Sequence, residues 1–359
     1  MKIAYIVNHD LSKQDGVTKK VTMQVDFWRQ KGHVVEIFCT NFSGNKSDYG
    51  FKCYSDFGRF FIRRDIVKDL SSFGPDIVYF RYSAFGFTLL KILSQYKCIG
   101  EANTFEVEEF WGLFKKYKRI KFFLLWLANK YLRPIIILKS KGLVTVTHQM
   151  AIADSNKLYN KHVIGIPNGI NTTKYKTLKR PSTDSSTQLF FMGSPNQPWH
   201  GVDLIEALAK ELPHIEFHIV GLEGEGLNNV HYHGYLKSDK YMKLLENCHI
   251  CIGSLALFRN GMDEGSPLKV REYIALGFPV VVGYEDTSII DSGMNYSWFK
   301  KVDFKGDSLA HIAKELDVFC SKSKDFVVSE EDKYFFSLEH TEGKRLSFFD
   351  DVYRLQGEG

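Results

Sequence analysis

The segment Glu264-Gly-Ser-Pro-Leu-Lys-Val-Arg-Glu272 places two carboxylates eight residues apart across a predicted helix start. Pro267 suits the first helical position because its missing N–H would have no partner there, which makes Ser266 the expected N-cap. The free amides of Leu268 and Lys269 then lie at the positive end of the helix dipole. The segment therefore predicts an anion site flanked by two carboxylates that can bind hydroxyl groups, a layout that suits a sugar nucleotide.

Apolar strands alternate with amphipathic helices on both sides of this segment. Strands are predicted at residues 3–7, 34–39, 77–80, 144–147 and 163–166, and again at 189–192, 217–220, 250–254 and 280–283. Such alternation predicts an α/β fold with parallel sheets covered on both faces. The polar stretch at residues 168–187 separates two arrays, so an N-terminal domain of residues 1–168 and a C-terminal domain of residues 169–342 are expected.

The bulk composition narrows the class of protein. The 359 residues are 44% hydrophobic and 25% charged, with a net charge of +5, which is typical of a globular protein of two domains. Six cysteines do not form a disulfide scaffold, and the C-x-x-C pair at Cys248 and Cys251 lacks the second pair that a structural zinc site needs. Neither a signal peptide nor a membrane span is evident, so a cytoplasmic location is expected.

The Glu264–Glu272 segment and the following Tyr273-Ile-Ala-Leu-Gly-Phe-Pro-Val-Val-Val282 resemble the E-x7-E signature of retaining glycosyltransferases of family 4, of the bacterial cell-surface polysaccharide type. Further stretches carry the same resemblance: Lys2-Ile-Ala-Tyr-Ile-Val7, Val163-Ile-Gly-Ile-Pro-Asn-Gly-Ile-Asn171, Leu189-Phe-Phe-Met-Gly193 and His233-Gly-Tyr-Leu236. The resemblance implies the GT-B fold, with two facing Rossmann-like domains, a cleft between them, and a C-terminal helix at 343–359 that crosses back to the first domain.

The same resemblance implies a hexosyltransferase reaction. A sugar would move from a nucleotide-diphosphate sugar, preferably UDP-linked and alternatively GDP-linked, to a glycan or lipid-linked acceptor with retention of anomeric configuration. The first domain would bind the acceptor and the second the donor. No cofactor and no metal would be obligatory.

Three residues are the expected catalytic groups. Glu264 would hold the donor sugar near the reacting carbon, and the cations of Arg259 and Lys269 would stabilise the leaving diphosphate. Glu272 would hold the ribose hydroxyls. The other expected donor contacts are Gly16, Ser194, His200, Tyr235, Leu236, Gly265, Ser266, Pro267 and Leu268.

Two positions depart from the pattern of the family. Ser194 and His200 stand where the family commonly has an arginine and a lysine that bind the diphosphate. Either Arg259 and Lys269 supply the missing charge, or donor binding is weak. His200 would still donate to phosphate, with a charge that varies near neutral pH.

The acceptor side is expected in the first domain. Glu101 and Asn103 follow a strand predicted at residues 96–99 and would orient acceptor hydroxyls, unless this acidic segment is only a solvated loop. Arg81 ends the preceding strand, and His9 follows the first one. The carboxyl ends of parallel strands meet at one edge of the sheet, so these four side chains are the candidate acceptor contacts.

Residues 110–153 contain no Asp or Glu, although they carry many lysines, arginines and apolar side chains. This pattern over 115–133 predicts an interfacial helix on an anionic membrane surface, at the inner face of the cell membrane. The alternative is a solvated basic face above ordinary core residues. No recognised nucleic-acid module is present.

Other functions remain open at this level. A sugar-nucleotide epimerase or a phosphorylase can use the same fold, and a non-catalytic membrane scaffold would explain the missing cations. A dinucleotide oxidoreductase is disfavoured, because Gly221-Leu-Glu-Gly-Glu-Gly226 has the wrong glycine order for G-x-G-x-x-G.

Overall fold

The computed structural model describes residues 1–354 except 14, 45–49, 57, 59–60, 161, 180 and 182–185, and only the backbone of Asp154 and Ser155. The chain divides into two compact units. Unit 1 comprises Met1–Pro167 and Leu338–Gly359, and unit 2 comprises Asn168–Ser337.

Unit 1 alternates strands and helices. Its strands are β1 (Lys2–Asn8), β2 (Val34–Thr40), β3 (Lys52–Tyr54), β4 (Ile77–Arg81), β5 (Cys98–Ala102), β6 (Gly142–Thr145) and β7 (Val163–Gly165). Its helices are α1 (Gly16–Gln30), α2 (Arg64–Phe73), α3 (Phe87–Leu93), α4 (Glu106–Tyr117), α5 (Ile120–Lys139), α6 (His148–Ile152), α7 (Asp154–Lys157) and α13 (Leu338–Arg354).

The seven strands of unit 1 form one sheet in the order β3-β2-β1-β4-β5-β6-β7, and every pair is parallel. Helix α1 begins where Asp15 accepts hydrogen bonds from the amides of Val17 and Thr18. Its apolar face packs with α13 and one face of the sheet around the buried side chains of Trp28 and Phe349. A second core covers the opposite face.

Unit 2 repeats the pattern. Its strands are β8 (Thr187–Met192), β9 (Ile215–Val220), β10 (Val230–Tyr232), β11 (Ile250–Ile252), β12 (Glu264–Gly265), β13 (Val280–Val282), β14 (Glu285–Asp286) and β15 (Phe299–Lys301). Its helices are α8 (Val202–Glu211), α9 (Ser238–Leu245), α10 (Leu268–Ala275), α11 (Thr287–Ser292) and α12 (Leu309–Ser323). Short 3₁₀ turns occupy Thr172–Lys174, Pro198–His200, Leu257–Asn260 and Tyr334–Phe336.

Six strands of unit 2 form a second parallel sheet in the order β10-β9-β8-β11-β13-β15, and β12 pairs only with β14. Each unit is thus a Rossmann-like α/β domain, which confirms the predicted fold class. None of the helices in the described part of the chain has both the length and the apolar content to cross a membrane.

Two local expectations differ from the structure. Helix α13 begins at Leu338, earlier than the predicted 343, and residues 355–359 lie outside the described part. Glu101 lies within β5 rather than after a strand at 96–99. Within the predicted linker at 168–187, Arg180 and residues 182–185 also lie outside the described residues.

Candidate functional site

The strand order of unit 2 reverses between β8 and β11, and ligands of open α/β sheets bind beyond the carboxyl ends of strands at such a point. β8 ends at Met192, followed by Gly193. A Cβ on Gly193 would lie 2.6 Å from the Phe191 ring and 2.8 Å from Nδ1 of His200, so only glycine fits there. The carboxyl end of β8 is therefore a tightly shaped part of the candidate site.

Helix α10 begins one residue later than predicted. Pro267 is the N-cap and has no capping side chain, so the expectation that Ser266 caps the helix is wrong. The hydroxyl of Ser266 instead accepts hydrogen bonds from the Asn168 amide and from Nη2 of Arg271, each 2.7 Å long. The first backbone amides of α10, beginning with that of Leu268, therefore donate no capping hydrogen bond to Ser266. They lie at the positive end of the helix dipole.

Both carboxylates of the segment are buried. Glu264 lies in β12, whose parallel pairing with β14 holds the loop before α10. Glu272 lies in α10, and its Oε1 accepts a hydrogen bond of 2.9 Å from the hydroxyl of Tyr241. A Cβ on Gly265 would lie 2.5 Å from Leu257, so a larger residue there would displace the loop.

The side chain of Lys269, on α10, reaches the carboxyl end of β8. Its Nζ donates to the carbonyl of Met192 at 3.1 Å and lies 4.2 Å from the centroid of the Phe191 ring. Burial lowers the pKa of Lys269 to about 7. Its charge thus becomes sensitive to any anion that binds nearby.

His200 is neutral in this setting. Burial first, and the nearby Lys269 second, lower its pKa to about 2, so the expectation of a charge that varies near neutral pH is wrong. The ring packs edge-on against Phe191, and Nδ1 is buried without a hydrogen-bond partner among the described residues. A neutral imidazole can offer this site one hydrogen bond but no positive charge.

The guanidinium of Arg259 has a partner already. Its two terminal nitrogens lie 2.8 Å and 2.6 Å from the carboxylate oxygens of Asp203, and Nη1 also donates to the carbonyl of Pro198. Arg259 was expected to be an available cation for a diphosphate, whereas Asp203 neutralises it here. Lys269 is therefore the better placed of the two expected cations.

A buried ion pair that the sequence did not reveal supports the loop before α10. Arg271 is fully buried and forms two hydrogen bonds of 2.8 Å with Asp286, while its Nε donates to the carbonyl of Asn168. Asp286 also caps α11 through the amide of Ser288. Arg271 and Asp286 lie 15 residues apart, and β12 pairs with β14 with Gly265 opposite Asp286, so no local pattern indicated the ion pair.

The remaining expected donor residues differ in exposure. Tyr235 is 83% exposed, Ser194 is also exposed, and Leu236 is half-buried. Gly16 is the first residue of α1 in unit 1, and a Cβ there would meet nothing within 4 Å, so packing does not demand a glycine.

In unit 1, the expected acceptor residue Glu101 is a buried carboxylate, and Nη1 of Arg81 lies 3.6 Å from it. Glu101 is fully buried, and its Oε1 lies 2.6 Å from Nζ of Lys20, so the hydroxyl-binding role and the solvated-loop alternative both fail. Burial raises the pKa of Glu101, but Lys20, Arg81 and Arg345 outweigh this effect and hold it well below its usual range. The carboxylate of Glu101 is therefore paired with cations of the protein itself.

Asn103 and His9 lie at the same edge of the sheet of unit 1. The Oδ1 of Asn103 accepts a hydrogen bond of 2.8 Å from Lys20. His9 follows β1, and its Nε2 lies 2.8 Å from Oδ2 of Asp15, the residue that caps α1. Among the described residues, no group of three or more His, Cys, Asp or Glu side chains is arranged to hold a metal ion.

Comparison with known proteins places these features in context. Residues 200–312, all within unit 2, match the family model described as glycosyl transferase-like. No curated protein matches the chain in sequence.

Solved structures match over nearly the whole chain. Sucrose-phosphate synthase from Thermosynechococcus elongatus has a TM-score of 0.70 at 12% identity, covering 99% of this chain and 100% of that one. The lipopolysaccharide outer core galactosyltransferase WaaB scores 0.64 at 12% identity, covering 98% and 99%. An alpha-glucosyltransferase in complex with UDP-glucose and DNA containing an abasic site scores 0.61 at 14% identity, covering 99% and 100%.

At such low identities the structural likeness establishes the fold, while the family model matches the part of the chain that contains the Glu264–Glu272 segment. The chain has the GT-B fold, and the findings together support a glycosyltransferase.

Proposed function

We propose that the protein transfers a hexose from a nucleotide-diphosphate sugar to a glycan or lipid-linked acceptor with retention of anomeric configuration, as members of glycosyltransferase family 4 do. One observation carries the proposal. Two buried carboxylates flank the amide end of α10, and the half-buried ammonium of Lys269 lies beside the carboxyl end of β8. An anion with a hydroxyl-bearing group on each side suits this arrangement.

Each group has a distinct proposed role at unit 2. The amides of Leu268 and Lys269, with the ammonium of Lys269, stabilise the leaving diphosphate where negative charge develops. Glu272 binds the ribose hydroxyls, and Glu264 binds hydroxyls of the transferred sugar. The leaving phosphate accepts the proton of the acceptor hydroxyl, so the reaction needs no separate base and no obligatory metal.

UDP is the preferred nucleotide of this proposal. Structures similar to this chain include an alpha-glucosyltransferase with UDP and the Anabaena protein HepE with UDP and glucose. Tyr235 is one of the expected donor contacts, and its exposed ring can stack on the base of the nucleotide. A GDP-linked donor is the alternative.

The acceptor domain of this proposal is unit 1, which also carries the proposed membrane surface at 115–133. Helix α5 exposes a row of apolar side chains at a spacing of three or four residues: Ile120, Leu124, Leu127, Tyr131, Ile135 and Leu138. Basic residues border this row and no acidic residue interrupts it. Apolar and cationic side chains side by side suit an anionic lipid surface better than a nucleic acid, and we propose peripheral attachment at the cytoplasmic face during polysaccharide synthesis.

Turnover with defined donors tests the proposal. Purified protein is incubated with UDP- and GDP-sugars, with and without short-chain lipid-linked glycans, and the anomeric configuration of the product is read by NMR. Acceptor-dependent transfer with retention is expected. A changed sugar nucleotide without acceptor would instead identify an epimerase, and neither nucleotide binding nor donor hydrolysis would identify a scaffold.

A further inference from the structure

The sheet of unit 1 also reverses its strand order, between β1 and β4. β1 ends at Asn8 and β4 at Arg81, and Nδ2 of Asn8 donates to Ser83 just beyond β4 at 2.7 Å. By the rule for open α/β sheets, a ligand of unit 1 is expected beyond these carboxyl ends. The side chains there carry an unusual charge balance.

Cations outnumber carboxylates in this cluster. Glu101 lies 2.6 Å from Nζ of Lys20, 3.6 Å from Nη1 of Arg81 and 3.8 Å from Nη1 of Arg345. Glu342 pairs with Nε of Arg345 at 2.9 Å. Three cations thus face two carboxylates, which leaves one positive charge without a protein counter-ion in this network.

The surplus charge lies at Arg81. The side chains of Arg345 and Glu101 are fully buried, and that of Lys20 is 6% exposed, whereas that of Arg81 is 20% exposed. Arg81 is therefore the member of the cluster that a ligand can reach. Its partial exposure also means that a bound anion would be only partly screened by solvent.

Two buried hydrogen-bond donors point to the same ligand chemistry. Nη1 of Arg81 and Nδ2 of Asn103 have no hydrogen-bond acceptor among the described residues. Lys20 binds Oδ1 of Asn103, which leaves the donor end of that amide unused. A buried donor that lacks a hydrogen-bond acceptor destabilises the protein, and a bound acceptor oxygen would recover this loss.

We infer that Arg81 and Asn103, supported by Lys20, form a site for an oxyanion: a phosphate or carboxylate group. Given the proposed function, on which this step rests, the oxyanion is a group of the acceptor substrate. The enzyme would therefore select an anionic acceptor over a neutral one. Glu101 is a positioning residue, because it holds Lys20 and Arg81 in place and does not contact the ligand.

Titration calorimetry of the full chain with inorganic phosphate and with glucuronate tests the site. Saturating UDP is present so that a diphosphate site on unit 2 is already occupied. We expect binding of at least one anion, and at least roughly tenfold weaker binding in Arg81→Gln, which removes a charged hydrogen-bond donor. Arg64→Gln, an exposed arginine of unit 1, is the matched control and should bind like the wild type.

The two anions separate two sources of the group, since phosphate represents a phosphoryl acceptor and glucuronate an acidic sugar. If Arg81→Gln fails to fold, anion binding is measured in Asn103→Asp instead. It should be weaker than in the wild type, because the isosteric carboxylate repels the anion. Absence of binding by both anions, or equal binding in the variants, overturns the inference. UDP titration without the anions reports separately on the proposed donor site, so either conclusion can fail alone.

Discussion

Glu272 accepts a hydrogen bond from Tyr241 inside unit 2, and its proposed partner is a ribose hydroxyl. We predict that Glu272→Ala weakens binding of the correct nucleoside diphosphate by about 1.5–3 kcal/mol, the range for hydrogen bonds to charged groups. Titration calorimetry measures this, with Tyr241→Phe as the control that removes the hydrogen bond from Tyr241 and keeps the carboxylate. Unchanged affinity in a folded Glu272→Ala protein would remove Glu272 from the nucleotide site.

Glu264 should behave differently from Glu272, because its proposed partner is the transferred sugar. Glu264→Gln is expected to leave nucleoside diphosphate affinity within about twofold and to lower kcat by at least roughly a hundredfold, since only transition-state contacts are lost. Steady-state kinetics and calorimetry on the same variant separate the two effects. Normal turnover would contradict the role, and lost diphosphate affinity would assign Glu264 to the nucleotide.

We predict that Lys269 makes donor binding depend on pH. Burial lowers its pKa to about 7, so it is charged below pH 7 and largely neutral above it in the free protein. A bound diphosphate favours the charged form and raises this pKa, so affinity should fall as pH rises from 7 to 9 while binding takes up a proton. Calorimetry in buffers of different ionisation enthalpy detects the proton, and Lys269→Met should show neither effect.

At the scale of elements, aromatic residues of helices α4 and α5 pack the two helices together. Trp111 of α4 packs against Trp126 of α5 with ring centroids 4.8 Å apart, and Phe114 packs against Phe123 at 5.3 Å, so these tilted ring pairs join the helices. The membrane surface predicted at 115–133 includes Phe123 and Trp126, which contact α4. The apolar side chains that α5 exposes are instead those of the row from Ile120 to Leu138.

We predict that the protein binds vesicles of anionic lipid and that salt weakens this binding. Lysines near such a surface contribute about 1 kcal/mol each, and salt screens them over about 8–10 Å. The changes Lys115→Ser, Lys116→Ser, Lys118→Ser and Lys121→Ser together should release it from the vesicles while leaving donor hydrolysis within about twofold.

Co-sedimentation at two salt concentrations measures the release. The matched control replaces four lysines of unit 2 by serine, at Lys210, Lys237, Lys240 and Lys243. If wild-type protein stays in the supernatant at low salt, the basic face of α4 and α5 is solvated and does not bind a membrane. Equal release by the control would mean that net charge, not this surface, governs binding.

At the scale of the whole molecule, the chain returns to unit 1 through α13. Arg345 on α13 is fully buried, pairs with Glu342 and donates to the hydroxyl of Tyr79 at 2.7 Å. Glu342 in turn accepts hydrogen bonds from Trp28 and Gln24 of α1. A buried ionic network therefore joins the last helix to the first.

Arg345→Met should destabilise unit 1 by about 3–5 kcal/mol, because it leaves the carboxylates of Glu342 and Glu101 buried with fewer counter-ions. Denaturant unfolding should show a weakened transition for unit 1 and an unchanged one for unit 2. The exposed Arg354→Met is the control, and adding Glu342→Gln to Arg345→Met should recover part of the loss. A single unshifted transition would contradict the role of the pair.

Periodicity and turn residues in the sequence were enough to predict two α/β arrays, because parallel strands buried on both faces need continuous apolar runs. The Glu264–Glu272 segment likewise predicted a helix start with free amides, since proline and glycine act locally on the backbone. These features depend on neighbours along the chain.

Only the tertiary structure decided which charges are available. Arg259 was expected to be free and is paired with Asp203, while Glu101 was expected at a surface and is buried under three cations. Arg271 and Asp286, 15 residues apart, form a buried ion pair beside the two short paired strands β12 and β14. Local patterns show which residues carry charge. The burial of a charged group, and the partners that neutralise it, depend on residues far apart in the chain. Burial and partners in turn decide the pKa of the group and its chemistry.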